Sequence, residues 1–167
     1  HRVNLERLSR RFGNSKSAKR SKARNACLRY IDRSDNNPGE PTYGEIISEM
    51  IDDATATHEG FGHKYWYALQ GLIADMGRLL PNGNWYPSPA DAFWGNSKFD
   101  LYDIDAPMDI PTPDDFPTVF VLRAANMTDE LVEQLSKSID DEDQLKEVER
   151  WIKEAKQYKQ DLVLYYH

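Results

Sequence analysis

The sequence predicts a single α+β domain over 1–167: a small, mostly antiparallel sheet packed against about five helices, with a long proline-rich irregular segment. Three observations carry that prediction. In the stretch 58–80, apolar residues recur from Tyr65 at Leu69, Leu72, Ile73, Met76, Leu79 and Leu80, the spacing of a helix buried along one side. Two runs rich in β-branched and aromatic residues, 118–122 and 162–166, read as strands. Between helix and strands, seven prolines fall within 81–117 and exclude long regular elements there.

Taken in order, Asn4 can cap a short helix carrying Leu5, Leu8 and Phe12, ended by Gly13. Ser15 or Ser17 caps a second helix with Ala23, Ala26, Cys27, Tyr30 and Ile31 on one side and basic residues on the other. The segment 35–41, Asp-Asn-Asn-Pro-Gly-Glu-Pro, is a loop and is expected to be mobile. Thr42 with Glu45 three residues on forms a capping box for a helix through Ile46, Ile47, Met50 and Ile51, which should stop near 54–56.

The helix that starts at His63 is expected to be central, with the N-terminal pair, the proline-rich belt and the closing helix all packed around it. The belt holds Trp85, Tyr86, Phe93, Trp94, Phe99 and other large apolar groups that should not stay solvated, so it is expected to pack over the body. Thr128 caps the next helix. A longer one, from about 141 to 160, carries Leu145, Val148, Ile152, Ala155 and Tyr158 on its stripe and a Glu149–Lys153 pair four residues apart. Two strands make a poor sheet, so a third is expected, at 1–3 or ahead of it, or hidden between Trp85 and Tyr102.

Composition narrows the function classes. A chain of 167 residues buries roughly 70% of its unfolded surface and needs no metal or disulfide staple. One cysteine, Cys27, cannot form an internal disulfide, which favours a reducing, cytoplasmic setting, and no apolar run approaches a membrane span. The net charge of −7 divides unevenly: residues 1–33 hold eleven Lys/Arg against two acids, +9, leaving −16 for the rest. The basic stretch could bind a polyanion through Arg20, Lys22, Arg24 and Arg29, or dock against the acidic body.

Motifs for chemistry are weak. His58, Glu59 and His63 lie near each other, but a spacing of five residues puts the imidazoles about 140° apart on a helix, and Gly60 and Gly62 argue for a lead-in turn, so no metal ligand set is assigned. The Asp clusters, Asp103 and Asp105 included, fit no calcium loop and read as solvated carboxylates or docking points for the basic helices. No phosphate loop, dinucleotide fingerprint or nucleophile elbow is present, and Cys27 reads as a buried apolar-face residue. No catalytic residue and no cofactor is assigned. Of the aromatic residues of the central helix and the belt, those left over from the core, with Trp66, Trp85, Tyr86 and Trp94 as candidates, would make a contact patch suited to a protein partner.

Two segments resemble a family of small bacterial proteins of unknown function: the run from Phe61 to Leu72 followed by Leu80-Pro81-Asn82-Gly83-Asn84-Trp85, and Pro113-Asp114-Asp115-Phe116-Pro117 followed by two helices and Asp161-Leu162-Val163-Leu164-Tyr165-Tyr166. More distantly, the closing helix and strand are similar to the YfbM-like proteins. The resemblance implies an α+β fold, often opened by a β-strand, and no catalytic residues. The expected function is a non-enzymatic cytoplasmic protein-interaction domain, an immunity or antitoxin-like partner whose acidic body steers onto a basic protein. The alternative is a small-ligand protein or hydrolase-type enzyme with a cleft near His63, Trp85 and Asp103, and a further one is nucleic-acid binding through the basic helices.

Overall fold

The computed structural model describes residues 1–11, 18–31, 37–83 and 89–167. Among these, four strands form one antiparallel sheet in the order β1-β4-β3-β2: β1 (Arg2–Val3), β2 (Phe99–Leu101), β3 (Thr118–Leu122) and β4 (Asp161–Tyr166). The additional strand expected from composition is thus found at both anticipated places, at the N-terminus and inside the belt.

Five helices accompany the sheet: α1 (Ala18–Tyr30), α2 (Tyr43–Ser48), α3 (Gly62–Met76), α4 (Asp129–Ser136) and α5 (Glu142–Tyr158). They are divided between its two faces. β3 is buried along its whole length because alternate side chains enter different cores. Val119 and Val121, with Val163 of β4, meet α1, α2 and α3, while Phe120 and Leu122, with Leu162, meet α4 and α5. A strand covered on both faces needs a continuous apolar run, which is why this one stands out in composition.

α3 holds the first core together through close backbone approaches. At Gly71 a Cβ would lie 2.7 Å from the Cα of Cys27, so α1 crosses α3 where neither helix has bulk. At Gly62 a Cβ would meet the carbonyl oxygens of Pro111 and Thr112 at 2.6 Å, which seats the belt on the first turn of α3. Trp66, buried beside it, donates its indole N–H to Pro111 O at 3.0 Å and packs edge-on to Tyr102. Buried Lys64 anchors the 37–41 part of the preceding loop: its ammonium donates to Pro41 O at 2.9 Å, lies 3.0 Å from Glu40 Oε2, and faces the Tyr43 and Phe61 rings. A desolvated ammonium requires such partners.

The caps at Thr42 and Thr128 form as expected, the former as a full capping box. Phe12, Gly13, Ser15 and Ser17 lie outside the described residues. Three expectations are corrected. The closing helix α5 does not pack around α3; it lies on the opposite face of the sheet, because its stripe of Val148, Ile152 and Ala155 is matched by Phe120, Leu122 and Leu162, and Tyr158, read onto the same stripe, is instead exposed under the Arg2 guanidinium. The apolar stripe read through Leu80 outlasts the helix, which ends at Gly77, where a Cβ would overlap Arg2 O at 2.2 Å; Leu79 is then exposed and Leu80 joins the second core. The Glu149–Lys153 pair is not formed; within α5 the ion pairs are Glu142–Lys146, Asp143–Lys146 and Glu147–Arg150.

Candidate functional site

The register of β2, β3 and β4 places side chains in rows across one sheet face. Phe99, Leu122 and Leu162 form the first row, under α4 and α5. Leu101, Phe120 and Leu164 form the second, and Thr118 with Tyr166 the third. α4 and α5 cover the first row and leave the end of the sheet open. There Trp94 is 50% exposed, Leu101 44%, Phe116 41% and Tyr166 37%. Trp94 packs edge-on to Phe120 at 5.2 Å, and Phe116 to Tyr166 at 5.7 Å, so the four belong to one surface. A recess of about 350 Å³ with mixed walls runs along β4 beside it, lined by Phe93, Phe120, Leu162 and Leu164 together with Asn82 and His167.

The belt that carries Trp94, Leu101 and Phe116 is acidic, and Asp100 and Asp103 line a shallow recess with Trp94 and Leu101. Between 89 and 117 the chain holds Asp91, Asp100, Asp103, Asp105, Asp109, Asp114 and Asp115 against Lys98 alone, seven acids and one base, or −6 of the total −7. Apart from Asp100, which is partly buried, these carboxylates are exposed. Arg123, at the end of β3, pairs with two of them and offsets one unit of that charge: it donates to Asp103 O at 2.9 Å and lies 3.4 Å from Asp103 Oδ1 and 3.0 Å from Asp105 Oδ2. That clamp holds a loop in which Tyr102 and Asp105 both adopt positive φ, 56° and 53°.

A second polar cluster sits where α2 widens into a π-helical turn (Glu49–Asp53) closed by left-handed Ala54. Such turns recur at functional positions. Glu49 accepts hydrogen bonds from the Thr57 backbone N–H at 2.9 Å, the Thr57 hydroxyl and the Tyr65 hydroxyl, and its Oε1 lies 2.7 Å from His58 Nδ1. Burial works against the charge on Glu49, but these donors and His58 together hold its carboxyl below the ordinary value. Burial first, and then the bond to Glu49, push the Tyr65 phenol up to about 12. Glu49 and His58 line a shallow cleft together with Arg24, Glu45 and Ser48.

The residues singled out in the sequence fall in different places. Trp94 lies on the open end of the sheet. Trp66 is core, its ring enclosed between α3, Tyr102 and the belt, so it contributes to no surface. Trp85 and Tyr86 lie outside the described residues. His63 is half-buried in the first turn of α3 beside Phe61, and Asp103 pairs with Arg123; among the described residues, no hydrogen bond, ion pair or ring contact joins His63 to Asp103. Arg24 docks internally, to Asp52 at 3.2 Å, Ser48 Oγ at 2.7 Å and Gly44 O at 3.4 Å, while Lys22 and Arg29 stay exposed 3.9 Å from Asp75. The Arg20 side chain is outside the described set. The Glu49–His58 pair was missed because its members lie nine residues apart across a left-handed turn, a spacing no helical rule connects.

Among the described residues, no cluster of three or more His, Cys, Asp or Glu could hold a metal ion, and no helix is long and apolar enough to cross a membrane. One family model, described as a domain of unknown function (DUF7691), matches residues 1–167. No curated protein and no solved structure matches the chain.

Proposed function

Since the chain belongs to the DUF7691 family, whose function is unknown, we propose from its geometry that it is a non-enzymatic protein-interaction domain that docks a basic partner protein on the open end of its sheet. The observation that carries this is the group of exposed side chains Trp94, Leu101, Phe116 and Tyr166 at the open end of the sheet, three of them on a belt of charge −6 of which Arg123 offsets one unit. Exposed aromatic groups rimmed by polar ones mark interaction sites, since the aromatics contribute area while the rim charges set orientation and encounter rate. An immunity or antitoxin-like role in the cytoplasm is the biological form this proposal takes: an acidic protein that covers a basic toxin needs no catalytic group of its own. The distant likeness of the closing helix and strand to the YfbM-like proteins belongs to the same proposal and adds no activity.

The test is co-purification from the source cell. Tagged wild-type chain should retain a basic protein that Trp94→Ser and Leu101→Ser each lose, while Tyr158→Ser, which alters an exposed aromatic stacked on Arg2 away from this surface, keeps it. Equal retention by all four, or none by the wild type, would count against the proposal.

A second reading, a small-ligand or hydrolase-type site, draws on the Glu49–His58 pair rather than on a cleft near His63. It predicts that the His58 ring resonances move when the dialysable fraction of a cell extract is added. An unmoved ring removes it.

A further inference from the structure

We propose that the basic partner enters as an extended segment that adds a strand to the free edge of β2. This rests on the open sheet end being a docking surface and goes further by naming the backbone groups that would hold the segment. In an antiparallel ladder, pairs that exchange hydrogen bonds alternate with pairs that do not. Tyr102 N donates to Val119 O at 3.1 Å, so the pair Tyr102–Val119 is of the bonded kind, and so is Asp100–Val121. Phe99 and Leu101 therefore turn their backbone groups away from β3. Phe99 N–H is taken by Asn96 O at 2.9 Å. Phe99 C=O, Leu101 N–H and Leu101 C=O have no partner among the described residues, and β2 is the last strand of the sheet.

Those three groups match the bonding set of one residue pair and the start of the next, enough to fix the register of an added strand. Its side chains would alternate, one set resting on Leu101 and Trp94 and the other reaching the opposite face. The charge selects the occupant. Asp100 lies within the edge strand, and Asp103 just beyond it shares Arg123 with Asp105 so that this loop keeps a net negative charge; a segment carrying lysine or arginine between apolar residues is therefore complementary. A second copy of this chain would set Asp100 against another acidic edge, and cross-strand like charges are destabilising. The shortness of β2, ended by left-handed Tyr102, limits the pairing to a few residues. That is how edge strands are guarded against indiscriminate addition.

The experiment uses the full chain, isotope-labelled for amide NMR, and three short peptides: alternating lysine and valine, the same with N-methylated valines, and alternating glutamate and valine. Saturating lysine–valine peptide should slow amide exchange at Leu101 by about tenfold and shift the Trp94 indole resonance. The N-methylated peptide, which cannot complete the ladder, and the acidic peptide should leave Leu101 exchange unchanged. Protection by all three peptides, or by none, overturns the proposal. If the lysine–valine peptide shifts Trp94 without slowing Leu101, strand addition is wrong while docking on the face stands. If co-purification is abolished by Trp94→Ser yet no peptide protects Leu101, the partner docks as a folded surface rather than as a strand.

Discussion

At the scale of single residues, the tightest constraints are backbone approaches and buried titratable groups. Gly71→Ala places a methyl 2.7 Å from the Cys27 Cα, backbone that cannot rotate aside, and should cost about 1–3 kcal/mol in chemical denaturation. Cys27 itself is buried, and desolvation pushes its thiol up to about 12. It should therefore resist a thiol reagent at neutral pH until the chain is unfolded; rapid labelling of the native protein would contradict its placement. The polar cluster supplies a pH dependence with two signs. The Glu49 carboxyl is held below its ordinary 4.5, so its contribution is complete above that value and is lost as pH falls through the lower folded one. Tyr65 and Cys27 are raised, so their contributions are complete below 10 and 9 and are lost as pH climbs toward 12. Melting curves of Glu49→Gln should have a flatter acid limb than wild type, and those of Tyr65→Phe a flatter alkaline one.

At the scale of elements, much of the secondary structure was legible and its arrangement less so. The capping box at Thr42 and Glu45, the cap at Thr128 and the strand 118–122 follow from local chemistry, and each is present. β2 could be placed only to within Trp85–Tyr102, because three residues amid prolines carry no periodicity, and pairing with β3 is what makes Phe99–Leu101 a strand. The face chosen by α5 was misjudged for a related reason: an amphipathic stripe says that a helix is buried but not against what. Its position predicts additivity. Ile152→Ala and Leu69→Ala empty cores on opposite sides of β3, so each should cost about 2–5 kcal/mol and the double variant should equal their sum within about 0.5 kcal/mol. Strong coupling would indicate that α5 touches α3 after all. Arg123→Gln releases the loop with two positive-φ residues; amide exchange should rise over 102–105 while global stability changes by less than about 1 kcal/mol, since the carboxylates it pairs are exposed.

At the scale of the whole molecule, the balance of charge and apolar surface defines what the protein can meet. The contrast between a basic N-terminal stretch and an acidic remainder was visible in composition, but composition could not say that Arg24 turns inward to Asp52 and Ser48, or that the belt alone carries −6. Nor could it separate surface aromatics from core ones. Trp66 and Trp94 read alike in sequence, and only the third dimension buries the first under Pro111 and Tyr102 and leaves the second over Phe120 at the open end of the sheet. The central claim is that this open end is where a basic protein docks. The most direct measurement places a photo-crosslinking amino acid at Phe116 in the living cell, and another at Tyr158, a still more exposed aromatic that stacks on Arg2. The account predicts one dominant adduct with a basic protein from position 116 and none from 158. Absence of an adduct at 116, or the same adducts from both positions, would contradict it.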